Sequence, residues 1–187
     1  MKLIYKGKFD GNEDSLPERE HIPGAVQFKE AEDANQLAKI ANGISLVITL
    51  VLLILLFLRG GFWSYNILGS IVALLTVFPH EFIHAICFKE IVYLYTYREK
   101  GILFVIGTET MSKSRFVFMS MLPNLLFGII PFIIFIIWPE YGFLGTMGAL
   151  ATGMGAGDYY NVYNALTQVP KGGRVYMHKF HSWWYMP

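Results

Sequence analysis

The stretch ANGISLVITLVLLILLFL, residues 41–58, is a continuous apolar run that ends at Arg59. An α-helix of about 20 apolar residues crosses the hydrocarbon core of a bilayer, so this run predicts a transmembrane helix. The sequence around it has the same character, since residues 41–88 contain only Arg59 and Glu81 as charged residues. An integral membrane protein is therefore expected.

The overall composition excludes several other classes of protein. Hydrophobic residues make up 54% of the chain and charged residues 16%, against about 45–50% and about 25% in a soluble domain. Such apolar content excludes intrinsic disorder, and a single cysteine excludes a disulfide-stapled secreted scaffold. A net charge of +1 does not indicate the basic surface that nucleic-acid-binding proteins have. The expected surroundings are a lipid bilayer.

Three further apolar segments follow the first one. They cover residues 62–88, 116–138 and 143–169, and each is long enough to cross a bilayer. The last is rich in Gly, Ala and Thr, which favours close packing inside a helix bundle. Together the segments predict an all-α polytopic membrane protein with four transmembrane helices.

The basic residues predict the orientation of the chain. Lys and Arg are concentrated in residues 1–40, 89–115 and 170–187. By the positive-inside rule we expect a multi-pass plasma-membrane protein with both termini in the cytoplasm. The same pattern divides the chain into a cytoplasmic N-terminal segment (1–40), a transmembrane domain (41–169) and a cytoplasmic C-terminal tail (170–187).

A small β-hairpin is expected between the second and third helices, over residues 91–106. The segments IVYLYTY (91–97) and ILFVI (102–106) are β-branched and aromatic, and REKG (98–101) between them is a plausible turn. The alternative interpretation is an amphipathic segment that lies in the membrane interface.

The second predicted helix contains the sequence HEFIH at residues 80–84. His80 and His84 lie one above the other on a helix, so both imidazoles can bind one Zn²⁺ ion. Glu81 points elsewhere and can act as general base on zinc-activated water without being a ligand. Ionisable residues inside a membrane are costly and usually functional. A hydrogen-bonded cluster that only stabilises the bundle is the alternative.

A catalytic zinc site needs at least one more protein ligand. Asp158 is the candidate, because it is the only acidic residue of segment 143–169 and has nearly the same expected depth as His80. A helix N-cap after the GMGAG sequence is its other interpretation. Asn161 follows on the same helical face and is the candidate for orienting a ligand or stabilising an oxyanion.

The roles of other polar and helix-breaking residues stay open. Pro79 either opens the helix to water and substrate or only kinks it for packing. Asn124 either contacts substrate or forms a hydrogen bond between helices. His178 and His181 either fold back over the site or remain exposed in the tail.

These motifs resemble the bacterial putative zincin peptidase family, a domain of unknown function related in plan to the site-2 protease group of intramembrane metalloproteases. The resemblance extends from about residue 62 to the C-terminus. It rests on HEFIH (80–84), MLP (121–123), GAGD (155–158) followed by Asn161, and VPKG (169–172). It implies that His80, His84 and Asp158 bind zinc and that Glu81 is the base.

The expected function is a membrane-embedded zinc metallopeptidase that uses zinc-activated water near the cytoplasmic leaflet. Its substrate would be a peptide or a membrane protein, held as a strand along the edge of the hairpin. The alternative is a non-catalytic membrane metal-binding or scaffold protein with the same His/Asp cluster. A metal transporter would need ionisable residues towards both faces, and the outer halves of the helices offer almost none. The sequence does not determine the oligomeric state.

Overall fold

Apolar helices alternate along the chain with short strands that pair over long sequence distances. The computed structural model describes residues 1–187 apart from the side chain of Phe62. The helices are α1 (Ala34–Gly60), α2 (Ile67–Leu75), α3 (Val77–Ile86), α4 (Lys113–Asn124), α5 (Ile130–Ile137), α6 (Gly142–Met154) and α7 (Ala156–Gln168). The strands are β1 (Lys2–Lys8), β2 (Val26–Gln27), β3 (Ile91–Tyr97), β4 (Ile102–Ile106), β5 (Met111–Ser112), β6 (Arg174–His178) and β7 (His181–Tyr185).

Helix α1 contains the apolar run at 41–58 and extends beyond it at both ends. The Asp33 carboxylate caps the start of the helix by accepting the Gln36 N–H. Gly61 ends it with a positive φ of 75°, a conformation that favours glycine. Large apolar side chains along α1 are exposed, including Leu46, Leu50 and Ile54. Such a surface suits lipid better than water.

Among the described residues, three helical stretches are long and apolar enough to cross a membrane: Ala34–Gly60, Ile67–Ile86 and Lys113–Ile137. The prediction of a fourth transmembrane helix over 143–169 is wrong. The chain breaks there at Gly155 into α6 and α7, which have 13 residues each. Helix α7 is also more polar than α6, with Asp158, Asn161 and Asn164 in its sequence, so the segment is not apolar enough to count as a membrane span.

The small residues of this segment place α6 inside the bundle, against α1, α2 and α5. Residues 145–149 of α6 are all buried. A Cβ atom on Gly153 would overlap Thr49 Oγ1 of α1, and one on Gly69 of α2 would lie 2.7 Å from the Phe143 carbonyl oxygen. The backbones therefore approach more closely than any larger residue would allow.

The fold class is mixed α/β, so the all-α prediction is also wrong. One sheet has the order β1-β3-β4, with β1 parallel and β4 antiparallel to β3. The hairpin expected over 91–106 is present as β3 and β4, and β1 extends it. A second, antiparallel sheet has the order β2-β7-β6-β5. Segment 170–187, expected to be a tail, supplies β6 and β7.

Both sheets lie at one end of the bundle. Val26 of β2 pairs with Trp184 of β7, so the N-terminal and C-terminal segments are together. At the other end, Arg59 Nε donates to the Ile136 carbonyl oxygen at 2.9 Å. Helices α6 and α7 return the chain from that end to the sheets.

Glu30 is a buried carboxyl group between the N-terminal segment and β7. Its Oε1 accepts the Ser182 N–H at 2.6 Å and lies 3.5 Å from Nδ1 of His181. Burial outweighs the Ser182 hydrogen bond and raises the pKa of Glu30 to about 7. The carboxyl therefore keeps its proton in the native state at pH values where the unfolded chain has lost it.

We expect the free energy of unfolding in detergent to fall as the pH rises from about 4.5 through 7, because the native state binds more protons in that interval. The rise in the pKa of Glu30 from its ordinary 4.5 to about 7 corresponds to a change of about 3 kcal/mol in the free energy of unfolding over this pH range. The Glu30→Gln variant keeps an acceptor for Ser182 but does not titrate. The unfolding free energy of this variant should depend less on pH than that of the wild type. The same dependence on pH in both proteins would contradict the raised pKa of Glu30.

Candidate metal centre

The helix that carries HEFIH begins at an interruption between α2 and α3. Pro79 lies in the first turn of α3 and has no N–H to donate to the Leu75 carbonyl, and α2 ends at Leu75. The normal helical bond resumes at once, with the His80 N–H donating to the Thr76 carbonyl oxygen at 2.8 Å. His80, Glu81 and His84 therefore project from a new helix, α3.

Two imidazoles and one carboxylate converge between α3 and α7. His80 Nε2 lies 3.0 Å from Asp158 Oδ2 and 3.1 Å from His84 Nε2. His84 Nε2 lies 3.2 Å from Asp158 Oδ1. The three side chains are 16%, 9% and 16% exposed for His80, His84 and Asp158 respectively. The structure thus brings together the three residues that the sequence suggested as ligands.

The spacing of these atoms fits a tetrahedral metal ion. Ligands at the usual zinc distances of about 2.0–2.1 Å are separated by roughly 3.3 Å along each tetrahedral edge. The corresponding separations are 3.0–3.2 Å, with Oδ2 of Asp158 next to His80 and Oδ1 of Asp158 next to His84. A small expansion from these positions is all that coordination requires.

The tautomer of His84 also fits a metal ligand. Its Nδ1 lies 3.0 Å from the Met119 carbonyl oxygen, which can only accept, so Nδ1 carries a proton and donates. In the neutral ring Nε2 then presents a lone pair. This lone pair faces the Asp158 carboxylate, an arrangement that needs a cation or a shared proton to be favourable. The donor set therefore fits Zn²⁺.

Glu81 lies beside this group of three ligand candidates. One of its carboxylate oxygens is within 4.8 Å of ligand nitrogens of both His80 and His84. Its Oε2 accepts the Val105 N–H of β4 at 3.0 Å. The contacts of Asp158 with the imidazoles are shorter, which favours Asp158 as the third ligand. Glu81 is left at a distance that one water molecule can span.

Asn124 of α4 holds Asp158 in place. Its Nδ2 donates to Asp158 Oδ2 at 2.8 Å and to the Ser120 carbonyl oxygen at 2.9 Å. Both partners are acceptors, so this orientation of the amide is the one that satisfies them. Of the two interpretations open for Asn124, the hydrogen bond between helices is the one observed, and its partner is the carboxylate of the centre.

Gly155 makes room for this amide at the break between α6 and α7. A Cβ atom on Gly155 would overlap Asn124 Oδ1. Asn124 Oδ1 is buried and has no hydrogen-bond partner among the described residues. A glycine hydrogen pointing at the oxygen supplies a weak Cα–H···O contact in place of a steric clash. The residue that breaks the helix therefore also shapes the support for Asp158.

A second set of contacts fixes the other end of α3. Arg115 donates to the Cys87 carbonyl oxygen and to Glu109. Glu109 in turn accepts the N–H groups of Lys89 and Glu90 at 2.6 and 2.9 Å. Burial alone would raise the pKa of Glu109, but these N–H groups and the guanidinium outweigh it and hold the pKa below its usual range.

The remaining candidates lie away from the three converging side chains. Asn161 is half-buried one turn after Asp158, and no hydrogen bond among the described residues joins it to the centre. Its suggested role as oxyanion donor stays a prediction. His178 belongs to β6, where Nδ1 lies 2.7 Å from the Arg19 carbonyl oxygen, and His181 lies beside Glu30. Both histidines are part of the second sheet and do not cover the centre.

A convergent His/His/Asp set and a neighbouring carboxylate are compatible with a metal-binding centre, and the three apolar helical stretches are compatible with membrane embedding. A family model described as "Putative zincin peptidase" matches residues 73–173, and the chain belongs to this family. The match runs from within α2 to the residue just before β6 and includes every residue of the centre. Membership indicates a metallopeptidase and implies zinc, and it confirms the resemblance seen in the motifs. No curated protein and no solved structure matches the chain.

We expect Asn124→Ala to weaken zinc binding by about 10- to 100-fold, because the Asp158 carboxylate loses the donor that orients it. The measurement is a competition titration of purified protein against a zinc chelator. Asn164→Ala is a matched control, since Asn164 is also buried but bonds to Gln168 instead. Equal zinc affinities of the two variants would contradict the role of Asn124.

Proposed function

We propose that the protein is a membrane-embedded zinc metallopeptidase that hydrolyses peptide bonds. The observation that carries this proposal is the convergence of His80, His84 and Asp158 within 3.0–3.2 Å of one another, with Glu81 alongside. Family membership supports the same class of enzyme. His80, His84 and Asp158 would hold the ion.

Each residue has a distinct part in the proposed reaction. When bound, Zn²⁺ would lower the pKa of water and polarise the substrate carbonyl. Glu81 would accept the proton of the attacking water and then deliver it to the leaving amine. Met119 keeps His84 in the tautomer that presents Nε2, and Asn124 orients the Asp158 carboxylate. Asn161 is the predicted donor to the developing oxyanion.

The free edge of β4 is the proposed support for an extended substrate. Leu103 of β4 is opposite Thr96 of β3, and the Thr96 carbonyl oxygen accepts the Phe9 N–H on the β1 side of the sheet. Thr96 therefore faces β1, and Leu103 turns its backbone groups away from β3. Because the pattern repeats every second residue, Val105 does the same. A peptide or a segment of a membrane protein can add as a strand along this edge.

We propose that the end of the bundle that carries the sheets faces the cytoplasm, with the protein in the plasma membrane. The basic residues favour this orientation, because they are concentrated in the N-terminal segment, the β3–α4 region and the C-terminal segment. Glu81 contacts β4, so the centre would lie near the cytoplasmic leaflet. Substrates would then enter from the cytoplasm or from the inner half of the membrane.

The decisive experiment is Glu81→Gln in purified, detergent-solubilised protein. We expect the variant to retain zinc, measured by elemental analysis, because the three proposed ligands are unchanged. Hydrolysis of a fluorogenic peptide library should fall by about 10²–10⁴-fold, because the amide cannot accept the proton.

His80→Ala is the companion variant and should lose both zinc and hydrolysis. Cleavage at the wild-type rate by Glu81→Gln would refute the proposed mechanism. A wild-type protein that binds zinc through His80 but cleaves no peptide would favour the alternative, a non-catalytic membrane metal-binding or scaffold protein.

A further inference from the structure

The free edge of β4 has one N–H group that is already in use. Val105 donates to Glu81 Oε2 at 3.0 Å, whereas Leu103 two residues earlier turns its backbone outward on the same edge. The base and the proposed substrate strand would therefore compete for Val105 but not for Leu103. This difference determines which part of the edge a substrate can use.

We infer that the Val105 N–H is a positioning group for Glu81, and that a substrate strand pairs with the sheet at Leu103 and not at Val105. The inference rests on the proposed function. The strand β4 would then have two separate roles. Val105, near its C-terminal end, aligns the base, and Leu103, near its N-terminal end, binds the peptide.

Hydrogen-bond strengths favour this division. A general base has to be ionised, and in that state the bond from Val105 N–H to the Glu81 carboxylate is charge-assisted and roughly twice as strong as a bond between neutral groups. A substrate carbonyl that took its place would exchange a charge-assisted bond for a neutral one. At Leu103 the substrate has no such competitor, so pairing there costs no contact of the enzyme.

The position of Glu81 also favours a fixed base. With Oε2 tied to Val105, a carboxylate oxygen is within 4.8 Å of the ligand nitrogens of His80 and His84. This distance is within the span of one bridging water molecule, so the base needs no change in its side chain to reach the ligands through water. The N–H thus removes rotational freedom that Glu81 would otherwise have to lose at each turnover.

A pair of proline variants separates the two duties of the edge. Proline is tolerated where an edge-strand N–H points away from its sheet, so Val105→Pro and Leu103→Pro each delete one outward donor. For a peptide substrate, Val105→Pro should lower kcat by about 10- to 100-fold and leave KM nearly unchanged, because the base is misaligned. Leu103→Pro should raise KM and leave kcat nearly unchanged. A rise in KM alone for Val105→Pro, or a rise in its kcat, would overturn the inference.

Amide hydrogen exchange of the metal-free protein tests the contact independently of activity. The Val105 amide should exchange at least about 10-fold more slowly than the Leu103 amide in the wild type. Glu81→Ala should abolish this difference, whereas Glu81→Gln, which keeps an acceptor oxygen, should preserve most of it. Equal exchange in the wild type, or unchanged protection in Glu81→Ala, would refute the positioning role. If the wild type cleaves no peptide, the proposed function fails and exchange still decides the contact.

Discussion

Helix α4 fixes the metal centre because it forms hydrogen bonds with both helices that carry the candidate ligands. On one side the Met119 carbonyl oxygen accepts from His84 of α3, and on the other side Asn124 donates to Asp158 of α7. His84 and Asp158 are remote in the sequence, and α4 contacts both of them. The position of α4 therefore holds the two side chains at the separation that the structure shows.

The packing of small residues also helps to position the side chains of the centre. Close approach of α6 to its neighbours is possible because glycines face Thr49, Phe143 and Asn124. At the break, Gly155 leaves room for the Asn124 side chain, which a larger residue would exclude. Asn124 in turn donates to Asp158, so the glycine at the break supports the third ligand candidate.

Local patterns predict the parts of the molecule that depend on local physics. The spacing of His80 and His84 predicts a shared helical face, and the β-branched residues of 91–106 predict the hairpin. Two features predict Asp158 beside His80, its expected depth and its place as the only acidic residue of segment 143–169, and the structure places the two side chains 3.0 Å apart. The break at Gly155 escapes this approach, because small apolar residues continue across it. Local patterns do not predict strand β1 either. Its sequence is rich in lysine, and it forms a strand because it pairs with β3, with Lys2 opposite Ile91.

The pairing of β2 with β7 ties the assembly of the molecule to its synthesis. Val26 is made before α1 but contacts Trp184, which follows α7. Domains begin to fold from the N-terminus while synthesis continues, yet β2 cannot pair until β7 has been made. Until then Glu30 also lacks the Ser182 N–H that it accepts. The second sheet is therefore completed only after helices α1 to α7 have been made.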